Sequence, residues 1–234
     1  MDRELFTAHG LEVAPQLLGA RLSVQSPEGA VTLRITETEA YHGVGTPPPY
    51  DPGSHSKDRK TERNASMFGP PGHAYVYLSY GVHYAINLVC SPTGTASAVL
   101  LRAGEIVEGE ELAVKRRTAK RHQAANGRSP APISHAQLAR GPGNLGTALG
   151  ITRAEHDGLD LFTAPFHLEL PSQRVEHIAH GPRVGVAGTA GGTEFPWRFW
   201  IPGDPTVSAF RPGRNADPWR HDPVRDAFSW DASS

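Results

Sequence analysis

Two glutamates, Glu37 and Glu39, lie two residues apart in a run with the composition of a β-strand. Because successive side chains of a strand point to opposite faces, alternation places four residues on one face: Ile35, Glu37, Glu39 and Tyr41. Strand geometry separates residues i and i+2 by about 6.6 Å, close enough to couple two carboxyl pKa values where water is excluded. The pattern predicts a catalytic carboxylate or, with equal weight, a solvated strand edge, and it does not distinguish the two glutamates.

The tyrosine-rich stretch 75–87 is the second candidate for chemistry. Tyr75 to Leu78 alternates as a strand, Tyr80-Gly81 offers a glycine for a tight reversal, and residues 82–89 supply a returning strand. The resulting hairpin places Tyr80 at its tip, where no core can bury the ring. An exposed wedge of this kind can unstack a duplex from the minor groove. A tyrosine that lies flat on a neighbouring loop is the structural alternative.

Several cations are placed to bind an anionic partner, although the formal net charge of the chain is only −1. Lysines and arginines cluster at 57–63 and again at 115–121, where a solvated helix face is the structural alternative. Arg102 is the one cation in the apolar run 96–103, and a buried arginine normally needs an anionic partner, here a structural glutamate or a substrate phosphate. Together with the glutamates and the hairpin, these cations favour hydrolysis of a bond inside a nucleic acid by the stretch 34–87.

The elements that must position these residues are short and separated by many turns. The 25 glycines and 21 prolines predict a loop-rich, mixed α/β (α+β) architecture. Strands are predicted at 21–24, 31–38, 96–103, 159–170, 183–187 and 195–200, and helices at 11–18, 108–121 and 145–149. The glycine- and proline-rich segment 42–54 is predicted to be a loop leading to His55, and 122–139 a linker.

Length and composition predict one sizeable domain over residues 1–208 and a tail rich in Pro, Arg and Asp, 209–234, that packs loosely or folds only in part. Cys90 is the only cysteine, which excludes an internal disulfide and any cysteine-based zinc or redox motif. Residues 1–6 are acidic where a signal peptide is basic, and no run of 18 apolar residues follows. We therefore expect a soluble, cytoplasmic or nucleoid protein with no membrane partner.

An ordered series of motifs resembles the alkyladenine (3-methyladenine) DNA glycosylase family of mammals and bacteria. The motifs are Thr38-Glu-Ala-Tyr41, Gly53-Ser-His-Ser56, Arg63-Asn64, Met67-Phe-Gly-Pro-Pro-Gly72, Tyr75-Val-Tyr77, Tyr80-Gly81, Asn87, Leu100-Leu-Arg-Ala103, Arg140-Gly-Pro142, Pro182-Arg-Val-Gly185 and Arg198-Phe199. The resemblance spans residues 10–208 and is highly specific as an ordered set. It implies a single compact domain with a curved antiparallel sheet, surrounding helices, a β-hairpin that enters the minor groove, and a pocket for a flipped purine.

The resemblance also implies roles for individual residues. Glu39 matches the general base that activates water against the sugar C1′, and Tyr80 matches the wedge that fills the vacated stack. The residues that match the base pocket are Tyr41, His55, Tyr77, Asn87 and Arg102. Arg63 and Arg117 match residues that contact the DNA backbone.

The implied activity is that of a monofunctional N-glycosyl hydrolase in base-excision repair. Its substrate would be double-stranded DNA that contains alkylated or deaminated purines, and the enzyme would act as a monomer without cofactor or metal. No lysine matches a nucleophile position, so lyase activity is not expected. Two departures from the family pattern are an insertion at 44–50 before His55 and Asn144 at a position where relatives often carry a basic residue.

Two other functions fit part of the pattern. A catalytically silent nucleic-acid-binding protein would use the hairpin and the basic clusters, although the intact Glu39 argues against it. A hydrolase of free nucleosides would need neither Tyr80 nor the basic clusters.

Overall fold

The long strand β2, Gly29–His42, lies at the centre of the fold and carries both glutamates. The computed structural model describes residues 2–125 and 131–230. The first part of β2 pairs with β1, Arg21–Ser26, and its later part pairs with β9, Arg198–Trp200. Its other edge pairs with β5, Ser97–Glu108, so the segment around Glu37 has a neighbouring strand on each side.

The remaining strands extend this sheet by antiparallel pairing. The hairpin of β3, Ala74–Ser79, and β4, His83–Val89, joins β5 through β4. Short strands complete the edges: β6, Ala139–Arg140, beside β5; β7, Phe166–Glu169, beside β1; and β8, Ala179–Gly181, beside β9. The sheet is open, and the order of its main path is β3-β4-β5-β2-β1-β7.

Four α-helices pack around the sheet in the part of the chain that is described: α1, Gly10–Gln16; α2, Glu110–Ala124; α3, Pro142–Leu149; and α4, Arg153–His156. Helix α1 lies on β2, where the Thr38 hydroxyl donates to the Ala14 carbonyl at 2.9 Å. Helix α3 approaches β4 so closely that a side chain at Gly146 would overlap the Tyr84 carbonyl. Short 3₁₀ helices include Glu62–Phe68, which lies beside β3.

Two β-bulges interrupt the pairing of β2 with β5 near the glutamates. Ile35 pairs with Gly104 but Glu37 pairs with Ala103, which leaves Thr36 as an extra residue on β2. Thr38 then pairs with Leu101, which leaves Arg102 as an extra residue on β5. Bulges re-aim side chains and are frequent beside active sites. Here they turn Arg102 toward the glutamates.

The bulge at Thr36 corrects the predicted face of β2. Thr36 and Glu37, which regular alternation would place on opposite faces, both bond the segment 206–208: the hydroxyls of Thr36 and Thr206 lie 2.8 Å apart, and Glu37 accepts the Ser208 amide at 2.8 Å. Ile35, before the bulge, packs in the main core. Glu37 and Glu39 still share a face, because both contact Arg102. The prediction was right for the glutamates and for Tyr41, which bonds Glu39, and wrong for Ile35.

The predicted mixed α/β (α+β) class with one compact domain and an antiparallel sheet is confirmed. The hairpin prediction is also confirmed, since Tyr80 lies between β3 and β4 with 91% of its surface exposed. The prediction of a strand at 183–187 was wrong. The amides of this segment bond elsewhere, that of Val184 to a carboxylate and that of Gly185 to the Arg211 carbonyl, so no ladder forms. The strand predicted at 159–170 is limited to β7. Residues 126–130 of the predicted linker lie outside the described part of the chain.

The segment after residue 208 is fastened to the domain more firmly than predicted. The Arg214 carbonyl accepts the Gly188 amide, and the Phe228 amide donates to the Ile178 carbonyl. The Trp219 ring packs edge-on against Trp200, with ring centroids 5.9 Å apart. Most of its residues are nonetheless exposed, and residues 231–234 lie outside the described part. The domain boundary at 208 stays a prediction.

In the part of the chain that is described, no helix is long and apolar enough to cross a membrane.

We expect His9 to make the stability of the fold sensitive to acid. Its Nδ1 accepts the Leu11 amide at 3.2 Å and so caps α1, and its ring lies 4.7 Å from the His42 ring. Burial, followed by the charge of His42, lowers the pKa of His9 to about 4. Because the unfolded chain binds this proton more readily, stability should be lost as pH falls from 6.5 toward 4.

His9→Asn should weaken that pH dependence, because asparagine keeps the helix cap but does not titrate. Urea unfolding at pH 7 and pH 5 checks the prediction. If both proteins lose the same free energy of unfolding between the two pH values, the acid sensitivity does not come from His9.

Candidate active site

A cavity of about 560 Å³ opens beside the hairpin and contains most of the predicted site residues. Its walls come from the end of β2, the loop 52–55, the hairpin and the irregular segment 184–187. The side chains that line it include Tyr41, His55, Tyr77, Asn87, Arg102 and Arg63. Tyr80 also borders it, from the tip of the hairpin.

Glu39 is wholly buried directly behind this wall. Its Oε1 accepts the Val184 amide at 2.6 Å. Its Oε2 accepts the Tyr41 hydroxyl at 2.8 Å and an Arg102 guanidinium N–H at 3.3 Å. All three donors belong to residues that line the cavity. The carboxylate is therefore one layer of side chains away from the pocket.

Glu37 is also wholly buried, but its oxygens are occupied by structural partners. They accept from Arg198 at 2.6 Å, from Arg102 at 3.1 Å, and from the amide and hydroxyl of Ser208 at 2.8 and 2.9 Å. Burial by itself raises the pKa of Glu37, but Arg102, Arg198 and the Ser208 bonds outweigh it and hold that pKa below its usual value. Glu37 thus organises the arginines around Glu39.

Arg102 joins the two carboxylates. Burial alone disfavours its charge, but Glu39 and then Glu37 overcome this effect and raise the pKa of Arg102. The sequence left open whether its partner would be a glutamate or a phosphate. The structure places it against two glutamates while it still borders the cavity.

Aromatic rings form the sides of the pocket. The His55 and Tyr77 rings are perpendicular with centroids 5.0 Å apart, and the Arg63 guanidinium lies 5.6 Å from the Tyr77 centroid. Burial, followed by the charge of Arg63, lowers the pKa of His55, so its imidazole is neutral near pH 7. Burial, followed by Glu39, raises the pKa of Tyr41 and of Tyr77, so both hydroxyls stay protonated.

Asn87 lies on β4 beside the β3 strand that carries the pocket tyrosines. Its Nδ2 donates to the Tyr75 carbonyl at 3.0 Å, which fixes the orientation of the amide. The residue is almost fully buried and borders the cavity. Its position is consistent with the pocket role implied by the family pattern.

The two arginines predicted to contact the DNA backbone have different surroundings. Arg63 is exposed at the mouth of the cavity. Arg117, on α2, is only 7% exposed, and its Nε donates to the Leu138 carbonyl at 2.8 Å. The fold therefore engages the Nε donor of Arg117, and a contact between Arg117 and a DNA phosphate stays a prediction.

A family model described as Methylpurine-DNA glycosylase (MPG) matches residues 4–205. The chain belongs to the methylpurine-DNA glycosylase family. Relatives from Leifsonia xyli subsp. xyli and Streptomyces avermitilis are 53% and 48% identical to it over 209 and 216 residues. These alignments cover 89% and 90% of this chain and 92% of each relative. Both relatives are provisionally named 3-methyladenine DNA glycosylases, as is a Nocardia farcinica protein that is 48% identical.

Membership of the methylpurine-DNA glycosylase family confirms the predicted enzyme class, a monofunctional DNA glycosylase of the 3-methyladenine type, and its place in DNA repair. It also makes DNA the substrate of the family to which the chain belongs. The roles of single residues are a separate question, which the geometry of the site addresses.

Sequence reasoning assigned no role to three residues that the structure places at the site. Val184 donates its amide to Glu39, and Arg183 forms a buried ion pair with Asp51 at 2.7 Å. The motif Pro182-Arg-Val-Gly185 was noticed as part of the family pattern, but it was expected to form a strand. Backbone donors such as the Val184 amide leave no signal in residue type.

Proposed function

We propose that this enzyme hydrolyses the N-glycosidic bond of alkylated or deaminated purines that have been flipped out of duplex DNA, with Glu39 as the general base. The observation that carries the proposal is the position of Glu39, a buried carboxylate held against the inner wall of an aromatic pocket. Beside that pocket stands an exposed aromatic ring on a hairpin tip. A carboxylate, an aromatic pocket and an exposed aromatic wedge are three parts that excision of a flipped base uses.

Glu39 acts on the sugar and on the attacking water. Cleavage of a glycosidic bond passes through an oxocarbenium-like sugar, and a nearby carboxylate stabilises its positive charge. The same carboxylate orients a water molecule and accepts its proton as the new C1′–O bond forms. Because Glu39 has no exposed surface, water reaches it when the Arg102 guanidinium shifts as the nucleotide enters.

The aromatic walls select the base. Alkylated purines often carry positive charge, and a desolvated cation gains about 1 kcal/mol or more over the face of a neutral aromatic ring. Tyr41 and Tyr77 provide such faces. The neutral imidazole of His55 offers one donor and one acceptor to the base edge. Alkylation also improves the leaving group, so selectivity comes from the chemistry as well as from the pocket.

Entry of the nucleotide depends on the hairpin. Flipping costs a few kcal/mol, least at damaged or mismatched pairs, and this difference adds selectivity. Tyr80 occupies the vacated space in the stack, and the exposed Arg63 lies where the backbone of the extruded nucleotide passes the mouth of the pocket. The enzyme acts on double-stranded DNA as a monomer.

Formation of abasic sites in duplex DNA tests the function. Oligonucleotides with a single hypoxanthine or ethenoadenine are incubated with excess enzyme, and abasic sites are detected as strand breaks after alkali. The expected result is cleavage at the lesion and none in the undamaged duplex. If these lesions and duplex that contains 3-methyladenine or 7-methylguanine all yield no product, the proposed base excision is wrong.

Tyr80→Ala tests the role of the hairpin tip in base release from duplex DNA. The variant should lose about tenfold or more in base release from duplex, because base–aromatic stacking contributes about 1–3 kcal/mol. Tyr80→Phe, which retains the ring, is the control. Neither change should affect folding, since the side chain is 91% exposed. Unchanged rates for Tyr80→Ala on duplex, at low and at high salt, would contradict the role of Tyr80 as the wedge.

A further inference from the structure

Arg183 is the largest side chain in the described part of the protein that is fully buried, and it lies immediately behind the pocket wall. Its two terminal nitrogens donate to the two Asp51 oxygens at 2.8 and 2.7 Å, and neither side chain has exposed surface. Bidentate pairing fixes the orientation of both groups as well as their distance. The Arg183–Asp51 pair is not part of the mechanism described above.

One side of the pair orients the end of β2. The Arg183 guanidinium donates to the Ala40 carbonyl at 3.1 Å, and its central carbon lies 4.5 Å from the Tyr41 ring centroid. The same carbon lies 4.9 Å from the centroid of the Trp197 ring. The guanidinium therefore supports a face of the Tyr41 ring, whose hydroxyl binds Glu39.

The other side of the pair orients the loop that leads to His55. Asp51 accepts the Gly53 amide at 2.9 Å and the His42 amide at 3.3 Å. A side chain at Gly53 would come within 2.7 Å of Arg183, so the loop closes tightly on the guanidinium. Residues 52–55 form one wall of the pocket. Asp51 thus ties this wall to the strand that carries Glu39.

The backbone of Arg183 reaches the third wall. The next residue, Val184, donates its amide to Glu39 at 2.6 Å, and residues 184–187 border the cavity. Arg183 also donates to the Ala190 carbonyl at 3.2 Å, which fastens the 3₁₀ helix Gly188–Gly191 that follows this segment. Three segments of the pocket wall therefore meet at one buried ion pair.

We propose that Arg183 and Asp51 are positioning residues that hold Tyr41, the His55 loop and the Val184 amide in one arrangement around the flipped base, an inference that rests on the proposed function. A buried ion pair is often no more stable than apolar packing of the same volume, so stability alone gives little reason for one here. The need to position catalytic groups is a better reason for a buried ion pair at this place. Misplacement of catalytic groups by about 1 Å can cost about 10²-fold in rate.

The test uses Asp51→Asn and Arg183→Lys in the full-length protein. Asparagine has the shape of aspartate without its charge, and lysine keeps the charge but cannot form the bidentate contact or the planar stack. Asp204→Asn is the matched control, because it removes the carboxylate of another ion pair, 2.7 Å from Arg34 and outside the cavity. Thermal unfolding sets an assay temperature at which every variant is folded.

Three measurements are compared. Single-turnover release of hypoxanthine at saturating enzyme should fall about 10- to 100-fold in both pair variants and little in Asp204→Asn. Affinity for duplex that contains a stable abasic analogue should be unchanged, because that ligand has no base to sandwich. Hydrogen exchange should become faster at 51–56 and at 183–187 together, a coupled response that a stability loss spread over the whole fold would not produce.

Failure of the positioning proposal can be distinguished from failure of the proposed function. If the pair variants lose no more rate than Asp204→Asn, the positioning proposal is wrong while base excision stands. If wild-type enzyme releases no base, the proposed function fails, and the catalytic role of the pair fails with it. Unchanged exchange in both segments would overturn the structural coupling whatever the activity.

Discussion

Glu39→Gln should reduce base release from a hypoxanthine-containing duplex by about 10³-fold or more while the variant still binds that duplex. Glutamine has the shape of glutamate, so its side-chain oxygen can still accept the Val184 amide. It cannot take a proton from water, and it brings no negative charge to the oxocarbenium-like sugar. The chemical step is lost and the pocket is kept.

The variant should still fold, because Arg102 keeps a carboxylate partner. Its Nε remains 3.1 Å from Glu37 when the charge at position 39 is removed. Single-turnover kinetics, fluorescence anisotropy with the lesion duplex and thermal unfolding of the same preparation separate chemistry, binding and stability. A folded Glu39→Gln enzyme with most of the wild-type rate would mean that another group activates the water.

Local signals in the sequence were sufficient for the parts of the site that lie on one element. Alternation placed Glu37 and Glu39 together, and a glycine after Tyr80 located the tip of the hairpin. Both features depend on neighbouring residues in the chain, and both are confirmed. The tyrosine is free to serve as a wedge because a two-strand hairpin tip has no second layer to cover it.

Features that depend on pairing between distant segments could not be predicted. The bulges at Thr36 and Arg102 arise from the register of two strands, and no residue type marks them. The contacts of Val184 with Glu39 and of Arg183 with Asp51 join positions more than a hundred residues apart. The bond between Arg117 and the Leu138 carbonyl could not be predicted either, because the two residues lie on different elements.

Glu37→Gln should lower the free energy of unfolding by about 3–5 kcal/mol, a large part of the stability of a typical domain. The carboxylate is fully buried and pairs with Arg198 and Arg102. Removal of its charge leaves Arg198 without a carboxylate in a site where water cannot replace one. Because the folded-state pKa of Glu37 is lowered, its stabilising effect should disappear as pH falls below its ordinary value of 4.5.

Glu105→Gln is the matched control for this loss. Glu105 pairs with Arg34 at 2.8 Å, but both side chains are about one-third exposed, and such a pair contributes about 0–1 kcal/mol. Urea unfolding at pH 7 should therefore separate the two variants clearly. Equal midpoints would show that burial does not strengthen the Glu37 network.

At temperatures where the Glu37→Gln and Glu39→Gln enzymes are both folded, Glu37→Gln should keep far more activity than Glu39→Gln, because Arg102 still binds Glu39. The opposite ranking would exchange the roles of the two carboxylates.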